Sequence, residues 1–432
     1  MKRNVLIIGA GGVAHVAAHK CAQNNISLGD IHVASRTLGK CKAIVDSIRE
    51  KGSQRGSGLL KAHQLDALDV EATKALIRST GSQIVINVGS PFLNMSVMTA
   101  CIETGAAYLD TAIHEDPDQV CEPPPWYANH EWKRRDACRA AGATAILGVG
   151  FDPGVVNAYG RFAMDAYFDE VESIDIIDIN AGSHGRYFAT NFDPEINFRE
   201  FTSNVWSWEG GQWKSSRMFE HRKDWDLPVV GRSTAYLTGH DELHSMSKNL
   251  GVPNIRFWMG FGDHYINVFT VLNSLGLLSE KPVRTAEGLE VVPLKLVKAV
   301  LPDPASLAPT YIGKTCIGDL VKGTKNCRPR EVLVYNVCDH KDCYEEVGSQ
   351  AISYTAGVPV VAAAMLIANG VWDVRQMVNV EELDPKPFIS LMNRMGLVTR
   401  VRDEQGDRVL DPYKESPATA RSPKQVVDAP AV

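Results

Sequence analysis

The sequence predicts an α/β fold, a doubly wound parallel sheet followed by a second α+β domain, on three observations. Short apolar runs alternate with helical periods over residues 1–150, the pattern of a parallel sheet with helical crossovers. The first run, Val5 to Ile8, ends in Gly9-x-Gly11-x-x-Ala14 and passes at once into a helix of small residues. After residue 150 the strands lengthen and lose regular crossovers. The glycine spacing marks a Rossmann-type turn: Gly9 for the tight exit from the strand, Gly11 for close approach of a pyrophosphate, Ala14 for close helix packing. The amides of Gly12 and Val13 open the helix that would hold the phosphate charge. A plain glycine turn between a strand and a helix is the alternative.

The second strand, Ile31 to Ser35, ends where an NAD enzyme keeps an acid for the ribose hydroxyl. Here Ser35-Arg36-Thr37 stands instead, with no carboxylate to repel a 2′-phosphate and a guanidinium to bind one. NADP(H) is therefore the expected cofactor, against the alternative of a solvated surface arginine. Helices are expected over residues 38–49, 70–79, 94–104 and 127–141, and strands over 83–88, 107–111 and 144–149. Ligands of such sheets lie beyond the carboxyl ends of the strands. Gly89-Ser90-Pro91, the stretch from Asp110 to His114, and the end of the strand at Val149 are the loops that would line the cleft, with Val88, Gly89 and Ser90 as candidates for cofactor contact.

Gly150-Phe-Asp-Pro-Gly154 closes this part, with Asp152 placed either as a helix cap or as a group at the cleft edge. A substrate domain over residues 151–347 follows, with strands expected at 172–180, 255–261, 312–321 and 331–338. The apolar stretch Gly348 to Gly370 reads as a helix that Pro359 starts or kinks. It should pack back, with residues to about 400, on the first domain. From Arg402 onward the chain is polar and reads as a disordered tail to residue 432.

With 44% hydrophobic and 22% charged residues and a net charge of −6 over 432 residues, the chain has an ordinary globular composition, which argues against a nucleic-acid or anionic-membrane surface. Nine scattered cysteines without paired spacing suggest a reduced, cytoplasmic chain. The apolar run near the N-terminus is too short for a signal segment, and no stretch suggests a membrane span.

The motifs together resemble a known family. Gly9-Ala-Gly-Gly-Val-Ala14, Ser35-Arg-Thr37, Tyr108-Leu-Asp110 and Gly150-Phe-Asp-Pro-Gly154 are similar to saccharopine dehydrogenase-like reductases. Ala189-Thr-Asn-Phe-Asp-Pro-Glu-Ile-Asn197, Ile255-Arg-Phe-Trp-Met259, Ala299 to Ser306, Tyr335 to His340 and Gly348 to Pro359 resemble, within them, the carboxynorspermidine synthase family. The resemblance spans about residues 1–400. It implies condensation of L-aspartate β-semialdehyde with 1,3-diaminopropane or putrescine through an imine that NADPH reduces, and it implies a homodimer.

That chemistry makes definite demands. Only a neutral amine attacks an aldehyde, so a proton acceptor is needed beside it, and a carboxylate or aromatic face for the distant ammonium. The α-carboxylate needs an arginine or backbone donors, and nearby carboxylates would stabilise the iminium. Asp110 and Asp152 follow strands at the cleft edge and could stabilise that charge. His184 and Arg186, on a glycine-rich loop, could serve as base and carboxylate clamp, or simply form a turn. Asn191, Glu195 and Asn197 carry the most distinctive motif, and Glu195 is the candidate ammonium ligand, with a surface salt bridge as its plain alternative. Trp208, like Trp206 and Trp258, could offer a cation–π face, though core packing is the commoner use.

Other signals point to no chemistry. His240-Asp-Glu-Leu-His244 has its acid misplaced for a zinc protease and reads as a solvated helix face. Cys338-Asp-His-Lys-Asp-Cys343 lacks a second ligand pair, so no metal is expected. His15 and His19 read as structural. A saccharopine reductase or homospermidine synthase would share the fold but differ in the substrate domain. A non-catalytic NADP sensor would keep the glycine turn without the acids.

Overall fold

The computed structural model describes residues 2–117, 122–202 and 204–415. Seven parallel strands form the first sheet, in the order Met377–Asn379, Ala145–Leu147, Ala107–Asp110, Ser82–Asn87, Arg3–Ile8, Leu28–Ser35, Leu60–Gln64. The strand Arg3–Ile8 is central because Val5 to Ile8 are all buried, pairing Ile7 with Val33 on one side and Ile86 on the other. The chain winds outward in both directions from it, and a crevice opens at its carboxyl end.

The helix Ala351–Ala368 is the keystone between the two halves. Its sequence is apolar on every side, and 83% of it is buried inside the molecule, which is how an all-round apolar helix behaves in a core. It passes the length and composition test for crossing a membrane, but its faces are covered by protein. Pro359 lies inside it and neither starts nor ends it. Small residues let it lie against the helix Gly12–Gln23: a Cβ on Gly357 would fall 2.7 Å from Val16, and one on Gly12 would fall 2.4 Å from Ser353 Oγ. A buried Lys20 anchors the junction, donating to Glu346 (2.5 Å), the Tyr354 hydroxyl (2.8 Å) and the Met395 carbonyl (2.8 Å).

The second sheet has ten strands. Glu170–Asn180 lies at its middle, parallel to Asn254–Gly260 and antiparallel to Lys314–Lys325. Three expectations fail here. The chain from Arg402 is not a tail over residues 402–415, because Thr399–Asp403 and Gly406–Val409 form a hairpin on the edge of this sheet. Its polarity misled because few apolar side chains here, Val401 and Leu410, reach the core, while Arg400 pairs with Asp407 and Arg408 with Asp403 and Glu415. Residues 416–432 lie outside the described residues. Asp152 does not cap the helix Val155–Tyr167; Gly154 does, at φ +133°, and its amide donates to Asn157 Oδ1 (2.8 Å). The helix expected over 127–141 is broken at His130 into Trp126–Asn129, a 3-10 turn over Glu131–Arg134, and Arg135–Ala141.

Candidate active site

At the crevice of the first sheet, the helix Gly12–Gln23 starts with no side-chain cap, so its first amides are free to meet an anion. A Cβ on Gly11 would meet nothing within 4 Å, whereas one on Gly9, at φ +129°, would strike the Val88 carbonyl at 2.7 Å. Gly9 thus shapes the turn and Gly11 leaves room for phosphate. Gly12 and Val13 follow, half-buried, and Gly89 and Ser90 lie exposed at the neighbouring strand end. Ser35 Oγ accepts from the Thr37 amide (3.2 Å), tightening the loop that displays Arg36. Arg36 is exposed and has no carboxylate partner among the described residues. The cradle and the unopposed guanidinium fit a 2′-phosphorylated dinucleotide.

Facing this crevice across the domain junction is a group of acids that the sequence did not reveal as a unit. Asp152 leaves the first domain, Asp178 stands near the end of the central strand of the second sheet, Glu200 lies on the helix Pro194–Thr202, and Asp241 and Glu242 follow the strand Gly231–Thr238. His240 sits among them. Its Nδ1 donates to Glu242 Oε2 at 2.6 Å, and its ring stacks on Phe257 at 4.0 Å. Nε2 has no hydrogen-bond partner among the described residues. Burial opposes a charge on this ring, yet the fields of Glu242, Asp152 and Glu200 lift it well above the ordinary histidine range. Burial in turn pushes Glu200 up to about 8, and Asp178 and Asp241 up to about 6. Asp152 rises from burial and from the neighbouring Asp178. The cleft is therefore a low-dielectric, acid-walled pocket in which one imidazolium offsets several carboxyl groups, a setting suited to organic cations.

The expected site residues divide. Asp152 joins this cleft. Asp110 is wholly buried: its Oδ1 accepts from the Gly148 amide (2.6 Å), and burial raises its carboxyl to about 7. It shapes the turn behind the cleft. His184 is half-buried, accepts from the Arg186 amide at 3.1 Å and packs edge-on against Tyr311; burial lowers it, which keeps the ring neutral. Arg186 is exposed and in no ion pair among the described residues, so its guanidinium is available to a carboxylate. Glu195 is bound to Lys298 (2.8 Å), which also holds Asp193; the salt-bridge alternative is the one seen, and Glu195 is not a free ammonium ligand. Asn197 is buried and accepts from the Tyr265 hydroxyl (2.5 Å). Trp208 donates to the Val252 carbonyl (3.0 Å) and packs on Trp213, a core role.

Asn191 also proves to be a positioning residue. The Ala351 amide donates to His340 Nδ1, His340 Nε2 donates to Asn180 Oδ1, Asn180 donates to the Tyr311 hydroxyl, and Tyr311 donates to Asn191 Oδ1. Gln350 closes the chain on the Asn191 carbonyl (3.0 Å). This relay ties the end of the strand bearing Asp178 to the start of the keystone helix, whose Ser353 abuts Gly12. The solvated helix face expected for His240 to His244 is corrected too: Glu242 and His244 are fully buried, and His244 is sandwiched between Trp126 and Trp213. The signal available in the sequence is a run of acids around a histidine just after a strand, masked by its likeness to a displaced zinc-protease motif.

Fold and site together define a two-domain, NADP-dependent oxidoreductase with an acid-lined cleft at the domain junction. The saccharopine dehydrogenase NADP-binding domain matches residues 5–146 and the saccharopine dehydrogenase C-terminal domain residues 150–397, and the chain belongs to this family. It is 44% identical to a carboxynorspermidine synthase of Vibrio alginolyticus over 95% of this chain and 100% of that one. It is 43% identical to a carboxyaminopropylagmatine dehydrogenase of Synechocystis over 91% and 96%. Saccharopine dehydrogenase (L-Glu forming) of Saccharomyces cerevisiae shares the fold, with a TM-score of 0.67 at 12% identity over 93% of this chain and 99% of that one.

Proposed function

We propose that the protein joins L-aspartate β-semialdehyde to a short diamine, 1,3-diaminopropane or putrescine, and reduces the resulting imine to carboxynorspermidine or carboxyspermidine. The observation that carries this reading is the acid-walled cleft around His240. A diamine brings two positive charges, and Asp178 and Asp241 supply the complement that a dicarboxylate substrate would find repulsive, with Glu200 able to ionise beside a bound dication. The amine nitrogen adds to the aldehyde carbon and water leaves. Bound NADPH supplies the hydride that, with one proton, turns the C=N bond into an amine. Glu242 orients His240, whose imidazolium can give its Nε2 proton to the hydroxyl that leaves as water, while a cleft carboxylate takes the proton of the ammonium. Asp152 stabilises the iminium, and Arg186 holds the α-carboxylate. Relatives in Vibrio and Synechocystis whose names give different products are almost equally similar to this chain, so agmatine is a second candidate amine.

Oxidation of NADPH with aspartate semialdehyde and a panel of diamines, agmatine and amino acids tests the reading. Turnover with 1,3-diaminopropane or putrescine is expected; turnover with amino acids alone would overturn it, and preference for agmatine would reassign the amine. A homodimer in a reducing cytoplasm is part of the same reading. Exposed Val271, Leu275, Leu296 and Val300 on the second domain support an interface, and the eight cysteines among the described residues are unpaired. Sedimentation as a monomer at micromolar concentration would count against the dimer.

A further inference from the structure

Behind the wall of the cleft lies a second cluster that the reaction does not use. His114, Asp116 and His130 bring one ligand atom each to within 4.8 Å of one another. His114 Nε2 is 3.1 Å from Asp116 Oδ1, and His130 Nε2 is 3.9 Å from Asp116 Oδ2. Glu122 stands beside the three, with both carboxylate oxygens 3.0–3.1 Å from His130 Nε2, and is the fourth donor within reach. The edge of a tetrahedron built from metal bonds of ~2.0–2.2 Å is about 3.4 Å, and the 3.1 and 3.9 Å separations bracket it. Hydrogen-bond accounting points the same way. The Pro91 carbonyl, 3.1 Å from His114 Nδ1, can only accept, so the proton of a neutral ring sits on Nδ1. The bare Nε2 lone pair then faces a carboxylate, and two acceptors at that distance are bridged either by a second proton or by a metal ion. The supporting bonds are those of a ligand set: Pro91 orients His114, and Asn129 donates to Glu122 Oε2 (2.9 Å).

We propose that His114, Asp116, Glu122 and His130 bind a divalent transition ion of the zinc class, which staples the loop after Asp110 to the broken helix at His130. Two imidazoles and two carboxylates favour such an ion over calcium or magnesium. The staple is structural, because the same loop forms the cleft wall: the Ile113 amide donates to Asp241 Oδ2 (2.7 Å), and Glu115 pairs with Arg199 (2.7 Å).

Metal-stripped full-length protein, titrated with Co²⁺, should bind one ion per chain and show the intense visible absorption of a tetrahedral site. Zn²⁺ should displace the Co²⁺ and raise the melting temperature. His130→Gln and Asp116→Asn should each weaken Co²⁺ binding at least tenfold. Asp116 is 40% exposed, so its variant keeps the test valid where the histidine variant misfolds. Absence of Co²⁺ binding at micromolar concentrations by the unaltered chain, or binding unchanged in Asp116→Asn, would overturn the site. Neither readout depends on turnover, so failure here leaves the proposed reaction standing.

Discussion

At the scale of the residue, His240 carries the heaviest chemical demand. An imidazole held at Nδ1 by a buried carboxylate exchanges protons through Nε2 alone. His240→Gln should lower kcat by about 10²–10⁴-fold, the span of a lost general acid–base, while leaving NADPH affinity unchanged by isothermal titration. Asp178→Asn removes charge from the diamine side and should raise the diamine KM on the order of tenfold, as expected for a desolvated ion pair. Glu195→Gln should move that KM by less than about twofold, because Lys298 already neutralises the carboxylate. Initial-rate kinetics over a diamine series separates the three. The contrast explains which site residues could be read from the sequence. Gly9, Gly11 and Arg36 act through local spacing, which a sequence displays. The cleft acids come from four separate segments and acquire their role only when the second sheet brings Asp178 beside Asp152, a juxtaposition with no signature along the chain.

At the scale of the element, the keystone helix decides whether the two half-sites meet. Its apolar run was legible because a buried helix needs no polar face, and the parallel sheet was legible because each strand is short, apolar and closed by a turn. The hairpin at residues 399–409 was not, since cross-strand ion pairs disguise an edge as a solvated tail. The packing of the helix Ala351–Ala368 on Gly12–Gln23 is close enough to test. Gly12→Ala would drive a methyl against Ser353 Oγ and should cost about 1–3 kcal/mol, the usual range for overpacking. Ser353→Gly on that background should restore most of the loss. Denaturant melts of the single and double variants give the coupling energy, and an additive pair would mean that the helices do not bear on each other at Gly12. NADPH binding should fall with Gly12→Ala and recover in the pair, since the same glycine opens the phosphate cradle.

At the scale of the whole molecule, the acid cleft makes stability depend on pH and on substrate. Burial raises Glu200 to about 8, Asp110 and Glu115 to about 7, and Asp178 and Asp241 to about 6. Each holds its proton more tightly folded than unfolded, so each contributes a loss of stability as pH rises from the ordinary carboxylate value through its folded one. His240, raised above its unfolded value, adds a loss in the same direction. The buried neutral histidines act oppositely. Burial depresses His19 and His244 to about 3 and His340 to about 4, so their contribution is complete above the unfolded histidine value of about 6.5 and is lost as pH falls below it. Between pH 6.5 and 8.5 the acids and His240 titrate, joined near the upper end by buried thiols such as Cys21 and Cys101 that burial holds protonated, and the melting temperature of the ligand-free protein should fall on the order of 2–5 °C. Putrescine should reduce that fall, because a bound dication stabilises the ionised cleft, whereas sodium chloride of equal ionic strength should not. Asp319→Asn, replacing a fully buried carboxyl behind the cleft whose proton burial also retains, should flatten the slope and leave the diamine KM unchanged. A melting temperature that stays level or rises between pH 6.5 and 8.5, with and without putrescine, would mean that the cleft acids are ionised and paired in the free protein.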